Sequence, residues 1–159
     1  SAAMQKTGSV INIDKEANGF SIHTIRVSDN GFNGNFNIES DLVINLEVAS
    51  IKEHETININ LFFKTNDGTT IFATCSPKER FRAGRYTYEC IIPAGTLNDI
   101  LYFIDITVVE NGPKILHRME NVIAIEGVEG KREGAWLGKF PGMIKPTNFK
   151  WNKKNIPDE

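Results

Sequence analysis

The segment TININLFFKTNDGTTIFATC, residues 56 to 75, decides the fold class of this chain. Its first half alternates apolar and polar side chains with a period of two, as side chains do along a β-strand. One face of that strand carries Ile57, Ile59, Leu61 and Phe63, and the other carries Asn58, Asn60 and Phe62. The Asp67-Gly68 pair that follows is a hairpin signal, because glycine accepts the positive φ of a tight turn. We therefore predict two antiparallel strands, Thr56–Lys64 and Thr70–Cys75.

Similar alternation extends over most of the chain. Further strands are predicted in SVINID (9–14), GFSIHTIRVSD (19–29), DLVINLEVAS (41–50), GRYTYECIIP (84–93) and LYFIDITVVENGPKILHRMENVIAIEG (101–127). Ser28–Asp41, rich in Asn and Gly, is predicted to be a long loop, and the best helix signal is a single turn near Thr96. About seven or eight short strands at regular spacing predict an all-β fold, an antiparallel immunoglobulin-like or jelly-roll β-sandwich.

Composition limits the organisation of the chain and its partners. With 159 residues, 40% of them apolar and 24% charged, the chain is long enough for one well-buried domain. The net charge of −2 gives no general attraction to nucleic acid. No apolar run approaches the roughly 20 residues of a membrane helix, and the N-terminus does not resemble a signal peptide. We expect a disordered or cloning-derived lead (1–7), a β-sandwich (8–129) and a Gly/Pro/aromatic extension of the same domain (130–159).

Residues that could support catalysis are scattered along the chain. Cys75 and Cys90 have no C-x-x-C spacing and are interpreted as reduced thiols, consistent with a cytoplasmic protein. The three histidines, at positions 23, 54 and 117, have no metal-ligand spacing, and no phosphate-binding loop is present. We therefore expect no enzymatic activity, no cofactor and no metal ion.

The outward side chains of the central strands point to recognition of sugars. Amides and carboxylates hydrogen-bond to sugar hydroxyls, and an aromatic ring packs on the C–H face of a pyranose. The predicted outward set is Asn58, Asn60, Phe62, Phe72, Phe103, Asp105 and His117. An outward Phe needs an apolar cover, which a partner subunit or an error in the assumed register would equally explain.

The end of the chain, GKREGAWLGKFPGMIKPTNFKW (130–151), differs from everything before it. It resembles the closing segment of the C-terminal domains of Wzt-type nucleotide-binding subunits, which belong to polysaccharide-exporting ABC transporters. Those domains often end in W-x-G-K-[FY]-P-G-x-[IV]-[KR]-P followed by Trp. The matching positions are Trp136, Gly138, Lys139, Phe140, Pro141, Gly142, Ile144, Lys145, Pro146 and Trp151.

The resemblance implies a non-catalytic, immunoglobulin-like module that binds the exported glycan, of the O-antigen type, at its modified non-reducing end. It also implies a homodimer with exchanged terminal strands and a cytoplasmic location, peripheral at the inner membrane through the transporter. The partners would be an upstream ATP-binding domain and a transmembrane exporter subunit. ATP hydrolysis would lie in that upstream domain, because this chain carries no Walker A motif.

The apolar side chains of the extension agree with an exchanged dimer. Trp136, Phe140, Ile144 and Trp151 would expose several hundred Å² if nothing received them, more than a monomer usually leaves bare. We expect this segment to cross to a twin subunit, although it could also fold back on its own sandwich or stack on sugar. Two other hypotheses remain: a protein-interaction sandwich without a glycan site, and a glycoside-modifying enzyme with two carboxylates in one cleft.

Overall fold

The computed structural model describes residues 10–29, 35–129, 142–144 and 149–154. The regular secondary structure in these ranges is entirely β-strand. The strands are β1 (Val10–Ala17), β2 (Phe20–Ser28), β3 (Asn35–Asn37), β4 (Leu42–Ser50), β5 (His54–Lys64), β6 (Thr70–Cys75), β7 (Glu79–Phe81), β8 (Gly84–Ile92), β9 (Leu101–Glu110) and β10 (Lys114–Val128). No helix in the described ranges is long and apolar enough to cross a membrane.

The strands form two sheets that face each other. The first sheet has four strands in the order β1-β2-β4-β8, and the second has the order β3-β10-β9-β5-β6, with β7 also paired to β5. All pairs are antiparallel except the parallel pair of β3 and β10. This arrangement confirms the predicted all-β sandwich.

Two local predictions were wrong. The helical turn expected near Thr96 is not formed, because that segment makes turns and a bridge to Ile144 instead. The long loop Ser28–Asp41 contains β3, which joins β10 as an edge strand.

The core lies between the sheets and follows the period-two pattern of the sequence. Along β4 every second residue is buried, from Leu42 to Ser50, and the facing strand β5 buries its predicted inward set. Burying one such aliphatic side chain contributes roughly 1.5–3 kcal/mol, so the alternation of β4 and β5 specifies how the sheets pack. Because a register slip of one residue would turn each apolar side chain outward, this packing also fixes the register.

A short piece of the C-terminal extension lies against the start of β9. The Asn98 amide donates to the Gly142 carbonyl at 2.8 Å, and the Tyr102 hydroxyl donates to the Met143 carbonyl at 2.7 Å. Burial raises the pKa of Tyr102 to about 12, so this hydroxyl stays protonated as a donor. Nearby, a Cβ on Gly127 would lie 2.2 Å from the Asn98 carbonyl oxygen, and only glycine therefore allows this approach.

Candidate functional site

The register of the second sheet shows which predicted site residues share its outer face. Phe62 pairs with Asp105, and Lys64 pairs with Phe103, so these side chains point away from the core. The alternation of β5 places Asn58 and Asn60 on the same face, as predicted. The structure thus brings five of the seven predicted residues onto one surface.

The other two predicted residues, Phe72 and His117, were assigned to the wrong face. Phe72 pairs with the buried Phe63, and their rings stack at a centroid distance of 4.5 Å on the core side. A β-bulge in β10 makes His117 the partner of the buried Val108. Each bulge inserts one residue and reverses the parity on which the prediction depended.

Most polar groups on the outer face are already paired within the protein. The Asn60 amide contacts the Thr107 carbonyl at 3.4 Å, and the Lys64 ammonium lies 2.8 Å from the Asp105 carboxylate. The other Asp105 oxygen accepts the backbone N–H of Asn121 at 2.7 Å. Phe103 is only 2% exposed, which removes it as a platform for a sugar ring.

A recess of about 340 Å³, which we call the outer-face groove, crosses this face. It is lined by Phe62, Lys64, Gly68, Thr70, Asp105, Thr107, Ile115, Arg118 and Glu120. The groove therefore includes two predicted residues, Phe62 and Asp105, and four charged side chains.

A larger recess lies where the two sheets part. The first sheet ends at β8 and the second at β6 and β7, and the space between these edges is about 550 Å³. We call it the edge cleft. Its lining residues are Ile44, Leu46, Ile59, Leu61, Thr74, Cys75, Ser76, Pro77, Glu79, Arg80, Phe81, Arg82, Tyr86, Thr87, Tyr88, Glu89 and Cys90.

Aromatic rings and core side chains give the edge cleft its shape. Ile44, Leu46, Ile59 and Leu61 are buried core residues and form an aliphatic floor. Tyr86 is 41% exposed and meets Phe81 edge-to-face at a centroid distance of 4.7 Å. The cleft thus offers an anchored but accessible ring above an apolar base.

The Tyr88 hydroxyl is a donor throughout the physiological pH range. Burial raises its pKa, and the nearby Glu79 carboxylate and Tyr86 raise it further. The influence of Glu79 places a carboxylate of the second sheet near a phenol of the first. The two walls of the cleft therefore present a donor and an acceptor to the same space.

Charged side chains of both signs line the mouth of the cleft. Arg80 forms an ion pair with Glu53, whereas no ion pair is seen for Arg82 or Glu89 within the described part of the chain. Ion pairs between exposed groups contribute little to stability, so these charges remain available to a ligand.

The sequence analysis did not identify this cleft. The alternating tyrosines of GRYTYECIIP were seen as an inward set, but a single sequence does not show that β8 lies at a sheet edge. Both cysteines also line the cleft; Cys90 has its thiol pKa raised by burial, and Cys75 donates to the Asn60 side-chain oxygen.

A buried polar chain, also missed from sequence, connects the two sheets at the other end of β5. The His54 ring contacts the Glu110 carboxylate through Nδ1 and the Ser50 hydroxyl through Nε2, the latter at 2.9 Å. This hydrogen bond from His54 holds the Glu110 pKa below its ordinary value of 4.5. We call this chain the inter-sheet link.

The order Ser–His–Glu resembles that of a hydrolytic triad. Ser50, however, is buried, and its oxygen accepts the backbone N–H of Lys52 at 3.3 Å. Because Ser50 lines neither the outer-face groove nor the edge cleft, we interpret the link as structural. Among the described residues, no group of three or more His, Cys, Asp or Glu is placed to hold a metal ion.

The predicted dimer residues are only partly described. Trp136 and Phe140 lie outside the described residues. Ile144 is half exposed and forms a β-bridge with Leu97 of the same chain, whereas Trp151 is 94% exposed. The side chain of Trp151 therefore has no cover within this subunit.

Comparison with solved structures supports the resemblance seen in the terminal segment. The chain is similar to the C-terminal domain of Wzt, with a TM-score of 0.69 and 15% identity, over 86% of this chain and 84% of the other. This similarity confirms the fold. A second match is a β-glucosidase from Listeria innocua in complex with isofagomine, with a TM-score of 0.36 and 9% identity, over 67% of this chain and 16% of the other. That likeness is too low to support an argument. No family model matches the sequence, and no curated protein matches it.

Proposed function

We propose that this chain is a non-catalytic carbohydrate-binding domain of a polysaccharide ABC exporter. It recognises the exported polysaccharide, of the O-antigen type, at its modified non-reducing end, and couples this recognition to transport. The observation that carries the proposal is the edge cleft, with an accessible tyrosine above an aliphatic floor. The similarity to the C-terminal domain of Wzt supports the setting of the proposal.

The chemistry of the edge cleft suits the end of a glycan. A pyranose ring packs its C–H face on Tyr86, while the Tyr88 hydroxyl and the Glu79 carboxylate hydrogen-bond to its hydroxyls. The aliphatic floor formed by Ile44 and Leu61 receives an apolar substituent, such as a methyl or acyl group on the last sugar. A recess between two sheet edges also accepts a chain end more readily than the middle of a long polymer.

The rest of the transporter supplies what this domain does not contain. In this proposal the ATPase is a separate upstream domain, and a transmembrane subunit forms the path of export. The domain is cytoplasmic and reaches the inner membrane through these partners.

The proposal includes a homodimer formed through the C-terminal extension. Its support is the exposure of Phe149 and Trp151 in a single subunit, since apolar side chains of this size normally have a cover. The contacts of Asn98 and Tyr102 with Gly142 and Met143 provide a receptor for the extension, whether it comes from the same subunit or from its twin.

Calorimetric titration with the polysaccharide purified from the organism that encodes the chain tests glycan binding. Tyr86→Ala should weaken binding about tenfold, because it removes the ring on which the sugar packs. The control is Ile91→Ala on the same strand, which is 54% exposed and does not line the cleft. Loss of affinity in both variants, or in neither, would move the site away from the cleft.

Light scattering tests the dimer. The wild type should have twice the subunit mass, and Trp151→Ala should shift the equilibrium toward monomer. A monomeric wild type would end the exchange proposal without affecting the glycan site.

A protein-interaction role is the alternative, and the burial of Phe103 is the observation that favours it. If wild-type protein binds neither capped nor uncapped polysaccharide, this alternative replaces the proposed function.

A further inference from the structure

We propose that the outer-face groove is a second glycan site, which binds an internal stretch of the same polysaccharide. The inference rests on the proposed function, because it takes the polysaccharide as the ligand. It assigns the end of the glycan to the edge cleft and the repeating chain to the groove.

The base of the groove is a preorganised pair of hydrogen-bonding groups. The side chains of Lys64 and Asp105 are 14% and 9% exposed, and the pair is held by its 2.8 Å contact and by the Asn121 N–H. An ammonium group has three donors, and this contact uses one of them, so Lys64 retains donors for sugar hydroxyls. Because the pair is already ordered, binding costs little side-chain entropy.

The charges of the groove indicate a neutral, hydroxyl-rich ligand. Two cations and two anions line it, and they lie as pairs: Lys64 with Asp105, and Arg118 with Glu120 at 3.8 Å. A groove with balanced charge has little net attraction for a phosphate or a uronate. It instead offers donors and acceptors side by side, which is the pattern that adjacent sugar hydroxyls require.

The walls of the groove suit the middle of a chain and not an end. Phe62, half-buried on one side, and Ile115, exposed on the other, give short apolar patches for C–H faces. The groove lies across a sheet face, and it does not contain the aliphatic floor that distinguishes the edge cleft. A polymer can therefore lie across it and continue beyond the groove at both ends.

The two recesses adjoin the same edge strand. Thr70 of β6 lines the groove, and Thr74 of the same strand lines the cleft. Four residues of a strand span about 13 Å. One polysaccharide that passes around the β6 edge can therefore occupy both sites, and the second contact forms at a high effective concentration.

The test compares three size fractions of the purified polysaccharide, obtained by partial hydrolysis. These fractions are the full-length chain, short fragments that retain the non-reducing end, and internal fragments without that end. The variant is Arg118→Ala/Glu120→Ala, which keeps the net charge and removes two side chains that are about 60% exposed. The matched control is Arg85→Ala/Glu47→Ala, which removes a surface ion pair from the other sheet.

The groove variant should bind the full-length chain about tenfold more weakly and should lose affinity for internal fragments. Its affinity for short end fragments should equal that of the wild type, whereas Tyr86→Ala should lose those fragments. The control pair should leave all three affinities unchanged.

Two outcomes would overturn this inference while preserving the proposed function. One is full-length binding in the groove variant that equals that of the wild type. The other is an equal loss of end fragments and full-length chain in the groove variant, which would make the groove part of the end site. Absence of binding of every fraction by wild-type protein would instead refute the proposed function itself.

Discussion

The edge cleft and the outer-face groove differ in how their polar side chains are satisfied. In the groove, Lys64 and Asp105 pair with each other at 2.8 Å, and Asp105 also accepts a backbone N–H. In the cleft, Tyr86 is anchored by ring contacts alone, and no ion pair is seen for Glu89 among the described residues. The groove residues therefore contribute to folding as well as to recognition, whereas the cleft residues are free to serve a ligand alone. Substitutions in the two places should have opposite effects on stability and affinity.

The largest expected effect is on stability, from Asp105→Ala in the groove. Removing this carboxylate leaves the Lys64 ammonium, 14% exposed, without its partner. Breaking a buried pair from one side should cost about 3 kcal/mol. Urea unfolding measures this loss.

The matched variant replaces both partners, Lys64→Met/Asp105→Leu, and should recover most of the lost stability because no charge remains unpaired. If Asp105→Ala unfolds at the same urea concentration as the wild type, internal pairing does not distinguish the groove from the cleft.

The inter-sheet link gives the second largest effect and serves as a reference for internal pairing without any recess. Glu110→Gln should lose about 1–2 kcal/mol at pH 7, because it removes the charge-assisted hydrogen bond from His54. The folded-state pKa of Glu110 is lowered, so its contribution to stability is present above the ordinary value of 4.5 and is lost as pH falls through the folded value. Thermal unfolding between pH 3 and pH 7 should therefore show a shallower acid decline in the variant, and parallel curves would contradict this account.

In the edge cleft the expected effect is on affinity. Tyr88→Phe removes a hydroxyl that its raised pKa keeps protonated, and binding of the end fragments should weaken about fivefold, or about 1 kcal/mol. Its melting temperature should stay within about 2 °C of the wild type, because the ring remains. A large drop in melting temperature would show that the cleft, like the groove, is part of the folding machinery.

The smallest effect should come from a pair that belongs to neither recess. Arg85 lies 2.9 Å from Glu47, but both side chains are well exposed. Arg85→Ala should change stability by less than about 0.5 kcal/mol and leave glycan affinity unchanged. A larger change in either measurement would mean that the surface background is too sensitive for the comparison.

The period-two pattern was enough to predict the sandwich, the core face of β5 and the outward position of Phe62 and Asp105. Parity failed at Phe72 and His117, where a β-bulge shifts the register by one residue. Bulges depend on pairing between distant strands, and nothing local in either segment announces them.

The cleft and the inter-sheet link could not be predicted for a related reason. Both depend on which strands lie at sheet edges and which ends of strands meet. Ser50, His54 and Glu110 come together only because β4, β5 and β9 end at the same side of the sandwich. A single sequence gives the strands but not their order.

The open edge at β8 also has a consequence for handling the protein. Its nine residues pair with β4 without interruption, and its other side has no strand in the described structure, whereas the edge strand β1 is distorted by a bulge near Asp14. A long, regular and uncapped edge is a template for intermolecular β-pairing. We therefore expect concentrated preparations to aggregate through β8 first, and saturation of the neighbouring cleft with glycan to lengthen their shelf life.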